Sequence, residues 1–117
     1  MAEIGYGLIG TGFMGRAHAY AYRAAPAVFP DIPRVRLRGV ADADAAAAAR
    51  FATQYGFETS TGDWRRLLDD PAIHIISVTT PNILHKDMAI AAARAGKHVH
   101  CEKPLAHSVF ETRRLAQ

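Results

Sequence analysis

The chain has 117 residues, half of them hydrophobic and 21% charged, with a formal net charge of +3. That is enough for one domain with a true core, too little for two ordinary ones, and too apolar for a disordered segment. No apolar run approaches the ~20 residues that cross a bilayer, no secretory leader pattern opens the chain, and a single cysteine excludes an internal disulfide. A soluble protein of a reducing compartment, by default the cytoplasm, is expected.

Ile4–Ile9 reads as a buried first strand feeding the turn Gly10-Thr11-Gly12-Phe13-Met14-Gly15 and a helix from Phe13 to about Ala25. Pro26, Pro30 and Pro33 then break the chain, so 27–33 reads as a loop. The second strand is Val35–Ala41. Arg34, Arg36 and Arg38 alternate with its apolar residues at period two, which is the pattern of a strand with one solvated face. A nucleic-acid stripe is the competing reading, but no aromatic platform or basic helix accompanies these arginines. Asp44 caps an alanine-rich helix that runs through Tyr55 and stops at Gly56. Phe57–Thr59 follows as a short third strand. A short helix then carries Trp64, Leu67 and Leu68 on one face, Trp64 being read as a core anchor.

Ile73–Val78 is nearly continuous in apolar character, as strands buried on both faces are. A helix over Leu84–Ala95 ends at Gly96, a strand covers about 97–101, and a last helix begins near Ser108. Alternating strands and helices imply a parallel, doubly wound α/β sheet of order 3-2-1-4-5 with right-handed crossovers. The chain ends inside its last helix, without a cap or a final strand. A piece of a longer enzyme is the expected explanation, with one sheet edge left open.

Ligands of such sheets bind beyond the carboxyl ends of the strands. Three separated segments reach that edge: the glycine turn, Thr80-Pro81-Asn82, and Glu102-Lys103-Pro104. In the Gly-x-Gly-x-x-Gly turn, Gly10 permits a tight bend, Gly12 lets the backbone approach a pyrophosphate, and Gly15 lets helix and strand pack closely. The helix N-terminus then offers free amides to the anion. Asp42 ends the second strand 27 positions after Gly15, a long spacing that the proline-rich insertion explains. Its carboxylate suits both adenosine-ribose hydroxyls and repels a 2′-phosphate, and no Arg or Lys follows it at once, so NAD is favoured over NADP. Asp44 competes for that role, though its position suits a helix cap. Asn82 either donates to the cofactor or caps the following helix. His98 and His100 share one strand face while Cys101 takes the other, so a metal site is not expected. His18, His74 and His107 have no evident partners.

These blocks together with Ala95-Gly96-Lys97-His98-Val99 and Cys101-Glu102-Lys103-Pro104-Leu105 resemble the N-terminal nucleotide-binding domain of the glucose–fructose oxidoreductase / inositol dehydrogenase / MocA family. The resemblance implies that 1–117 is an NAD(P)-binding Rossmann domain whose C-terminal substrate domain is absent. It also implies hydride transfer between nicotinamide and a sugar, cyclitol or related polyol. It places Lys103 beside the nicotinamide and the reacting hydroxyl, Glu102 on the nicotinamide ribose, and Thr80, Pro81 and Asn82 along the cofactor. His85 falls near the nicotinamide end by resemblance, and by chemistry alone is equally a first-turn helix residue. An ammonium beside a developing alkoxide stabilises negative charge, which fits a catalytic lysine. A homo-oligomer is implied for the full-length form, with a small molecule as the partner and neither nucleic acid nor membrane. Without the second domain this chain is expected to bind a dinucleotide but not to turn over a sugar. The alternative is a non-catalytic NAD-binding module or redox sensor.

Overall fold

The computed structural model describes residues 3–80 and 82–101, with backbone alone for 82–85. The order is β1 (Glu3–Ile9), α1 (Phe13–Val28), β2 (Arg34–Ala41), α2 (Ala45–Tyr55), β3 (Thr59–Thr61), α3 (Arg65–Leu68), β4 (Ile75–Val78), α4 (Asn82–Arg94) and β5 (His98–Cys101). All four strand pairings are parallel, in the order β3-β2-β1-β4-β5. The order expected from the alternation of elements is therefore the observed one. β1 is central, and the chain reverses direction across the sheet there, which opens a crevice above its carboxyl end.

Two apolar cores cover the two faces. Tyr6, Leu8, Leu37 and Val40 meet Ala19 of α1 and Phe51, Ala52 and Phe57 around α2. Ile9, Ala41, Ile76 and Val78 meet Leu67, Ile73 and the α4 residues Met88 and Ala92. Alternation along β1 and β4 sorts these side chains, since successive residues of a strand point to opposite faces. Tyr6 adds a stacked ring contact with Tyr22 at 3.9 Å between centroids.

Several boundaries differ from the sequence reading, among them the start of β4 at Ile75 and not Ile73, and three of the differences have a clear local reason. α1 does not break at Pro26 but continues to Val28, with the Phe29 amide donating to Ala25 O at 2.8 Å. A proline removes one helical donor without removing those after it, and near a helix end that loss is tolerated. β3 begins at Thr59 because Phe57 belongs to the end of α2. Gly56 is left-handed (φ 83°), and the Gly56 and Phe57 amides both donate to Ala52 O, while the Phe57 ring sits in the core. α4 begins at Asn82, two residues earlier than expected, which makes Asn82 its first residue and not its cap. The last helix, expected near Ser108, lies outside the described residues.

The arginine stripe on β2 is consumed locally. Arg36 pairs with Glu58 through Nε and, at 2.8 Å, through Nη2; Arg38 donates to Asp70 at 2.9 Å and to Glu58 at 3.1 Å. Arg34 and Arg36 each lie 3.9 Å from Glu3. This is a solvated ion-pair network fastening strand edges, as the alternation implies. Among the described residues no helix is long and apolar enough to cross a membrane.

Candidate functional site

A cleft of about 600 Å³ opens at the carboxyl edge of the sheet. Its floor is the β1–α1 turn, 10–14; Asp42 and Ala43 after β2 and Gly62 and Trp64 after β3 form one wall; Thr79, Thr80 and Met88 form the other. The three glycines do different work. Gly10 has φ +102°, and a Cβ there would meet Thr79 Oγ1 at 2.7 Å. At Gly15 a Cβ would lie 2.3 Å from the carbonyl oxygen of Gly10, so only hydrogen lets α1 dock on β1 this closely. A Cβ on Gly12 would meet nothing within 4 Å; it would project into open space at the start of α1.

That start is electrostatically unfilled. Gly12 provides no side-chain cap, and the first turn of α1 holds no acidic residue. The first amides of a helix have no internal acceptor, and their dipoles favour an anion. By contrast α2, entering the same edge, is closed by Asp44, whose Oδ1 accepts from Ala46 N at 3.0 Å and Ala47 N at 3.2 Å. Asp44 is a helix cap, as its position before the alanine run suggests. The residues around Gly12 fit a pyrophosphate.

Asp42 is held from both sides. Its Oδ2 accepts from Thr11 N at 3.1 Å and Thr11 Oγ1 at 2.7 Å, and its Oδ1 accepts from Asp44 N at 2.9 Å. Its own amide donates to Thr61 O at 3.2 Å, while Gly10 N donates to Ala41 O at 2.8 Å. The turn, the β2 terminus and the β3 terminus are thereby stitched together before any ligand arrives. Thr79 joins β4 to the same knot, its hydroxyl shared between Ile9 O at 2.9 Å and Gly10 O at 3.1 Å.

Of the residues singled out from sequence, Gly10, Thr11, Gly12, Phe13, Met14, Asp42 and Thr80 line the cleft, and Gly15 packs beneath it. Phe13 stands 82% exposed at the lip. Asn82 and His85 fall in the first turn of α4 by backbone. Pro81, Glu102 and Lys103 lie outside the described residues, as does His107. From its spacing to Leu67 and Leu68, Trp64 reads as a core anchor, with a binding aromatic as the weaker alternative. It packs partly against the second core, carries Arg65 at 4.5 Å over its ring, and also lines the cleft. The missed signal was its place just after β3, whose carboxyl end shares the ligand edge.

Two histidines do have partners. His18 Nδ1 lies 3.0 Å from Ser77 Oγ in the buried face of β4, and His74 Nδ1 accepts from Gly5 N at 2.9 Å. On β5, Val99 and Cys101 pack toward the α4 core, while His100 faces α1, its ring 4.4 Å from that of His18. The side-chain alternation expected for His98, His100 and Cys101 is present.

Relatives of known name share this architecture. A levoglucosan dehydrogenase from Pseudarthrobacter phenanthrenivorans is 50% identical over 116 residues, covering 98% of this chain and 30% of that protein. An inositol 2-dehydrogenase from Rhizobium meliloti is 38% identical over 100 residues, covering 86% of this chain and 28% of its own length. A solved levoglucosan dehydrogenase in complex with NADH and L-sorbose superposes with a TM-score of 0.94 at 47% identity, over 98% of this chain and 31% of that one. An NAD binding oxidoreductase from Klebsiella pneumoniae superposes with a TM-score of 0.93 at 49% identity, again over 98% and 31%. The chain therefore spans about a third of the length of these relatives. The model of the Gfo/Idh/MocA oxidoreductase family, NAD-binding Rossmann fold, matches residues 4–117, and the chain belongs to that family.

Proposed function

We propose that this chain is the cofactor-binding part of an NAD-dependent oxidoreductase acting on a sugar, cyclitol or related polyol. One observation carries the reading: an uncapped helix N-terminus opens at Gly12 beside a fixed carboxylate, Asp42, on the ligand edge of the sheet. The amides of 12–14 would hold the diphosphate, Asp42 the adenosine ribose, and Thr80 the stretch between the two halves. Relatives named for levoglucosan and inositol support the substrate class.

Bound NAD supplies the ring that accepts or returns a hydride. By its place in the family motif, Lys103 is assigned the proton at the substrate hydroxyl, held on or released from Nζ, and Glu102 the orientation of that lysine. Both assignments, with Pro81, Asn82 and His85 as cofactor neighbours, belong to the proposal. So does the homo-oligomer of the full-length form. Substrate holding and exclusion of water need groups from beyond this domain, because hydride transfer requires both reactants fixed at close range.

Isothermal titration of NAD and NADP into the chain tests the cofactor assignment. NAD is expected to bind more tightly. Equal affinities would remove the role given to Asp42, and binding of neither nucleotide would remove the reading itself.

A further inference from the structure

We infer that Thr11 sets cofactor preference by locking Asp42, without itself donating to the cofactor. This rests on the reading of the cleft as a dinucleotide site. A threonine residue offers two donors, its amide and its hydroxyl. Both go to the same oxygen, Asp42 Oδ2, at 3.1 and 2.7 Å. No donor of Thr11 remains for a phosphate, and its Oγ1 presents only lone pairs to the cleft.

The consequence for Asp42 follows by counting. A carboxylate has about four acceptor positions. Two on Oδ2 are taken by Thr11 and one on Oδ1 by Asp44 N, leaving about one, on Oδ1. Asp42 thus accepts one ribose hydroxyl without rearrangement; a second would have to displace the Thr11 hydroxyl. The sequence alone suggested a carboxylate free to take both.

The same lock acts on a 2′-phosphate. Asp42 makes no ion pair among the described residues that would dilute its charge, and three hydrogen bonds hold its orientation. A phosphate brought to that ribose position meets a carboxylate unable to swing aside. Removing the Thr11 hydroxyl leaves Oδ2 with the amide alone and frees the side chain to rotate, so NADP should be tolerated better, while for NAD the acceptor position vacated on Oδ2 offsets the lost orientation.

The test is titration of NAD and of NADP into the wild-type chain and into Thr11→Val, Thr11→Ser and Asp42→Ala. Thr11→Val should narrow the ratio of NADP to NAD dissociation constants by roughly ten-fold or more, the size of one lost bond to a charged group. Thr11→Ser should restore it. In the Asp42→Ala background, Thr11→Val should change the ratio no further, because the two residues act as one unit. Should Thr11→Val prove too unstable to titrate, Thr11→Ala carries the same expectation. Equal weakening of both nucleotides would make Thr11 a phosphate contact and overturn the inference. A wild-type ratio in Thr11→Val alongside a collapsed ratio in Asp42→Ala would overturn it while leaving the cofactor reading intact. Absence of binding by the wild type would remove both.

Discussion

Two glycines of one turn, three residues apart, should respond to the same substitution in opposite ways. Gly15→Ala places a Cβ 2.3 Å from Gly10 O and 3.2 Å from Thr79 Oγ1. The nearest atom is backbone and cannot rotate away. To reach even the 3.0 Å floor of real contacts, α1 or the turn must retreat by at least 0.7 Å. Overpacking of this kind costs about 1–3 kcal/mol, and a backbone-on-backbone clash belongs at the upper end. For a domain of this size that is roughly 10 °C of Tm. Gly12→Ala meets nothing within 4 Å, and Gly12 has φ −78°, which alanine adopts freely. Reduced freedom of the unfolded chain offsets the poorer cap, so stability should stay within about 1 kcal/mol of wild type. Its methyl would nevertheless occupy the space over the helix amides, and NAD affinity should fall more than about ten-fold, or ~1.4 kcal/mol. Thermal melts with NAD titration on both variants decide it. A Gly12→Ala chain that binds NAD normally would show that the cofactor does not approach there. A Gly15→Ala chain as stable as wild type would refute the packing argument.

Further outcomes are expected elsewhere. Lys97 Nζ donates to Asp70 O and Ile73 O, each at 2.7 Å, so Lys97→Met should cost about 1–3 kcal/mol in urea unfolding by stranding two loop carbonyls. Ser77→Ala removes the hydroxyl paired with His18 inside the sheet and should destabilise by about 1–2 kcal/mol in the same assay. The Arg36 guanidinium holds the Glu58 carboxyl below its usual value of 4.5, with Arg38 adding to the effect. A depressed carboxylate stabilises above the unfolded value and loses that contribution as pH falls through the folded one. Tm should therefore drop below about pH 4.5, and Glu58→Gln should flatten the drop; an unchanged acid limb would remove Glu58 from it. In a full-length form with the proposed activity, Lys103→Ala should lower kcat by at least about a hundred-fold while NAD affinity stays near wild type, since general acid–base groups contribute on that scale. Turnover like the wild type would dismiss Lys103 from the chemistry.

The parts of this molecule legible in its sequence are those fixed by local stereochemistry. A glycine with positive φ, a strand buried on both faces, and an aspartate before an alanine helix each announce themselves within a few residues. The 3-2-1-4-5 order followed from those elements because parallel crossovers leave few arrangements. What sequence could not supply were pairings set by side-chain direction across long separations. Thr11 and Asp42 are 31 residues apart, and His18 and Ser77 are 59 apart. Neither pair carries a spacing rule, so both emerged only when the sheet brought β1, β2 and β4 together. Local rules also misled where two of them competed. Pro26 signalled a break although the helix near its end could lose a donor, and Phe57 signalled a strand although the cap of α2 needed an apolar residue. Trp64 shows the general difficulty. Its spacing to Leu67 and Leu68 correctly indicated burial, yet its position after a parallel strand put part of the same ring on the ligand edge. An aromatic of that size can serve core and cleft at once, so helical spacing near the carboxyl end of a strand argues for packing without arguing against binding.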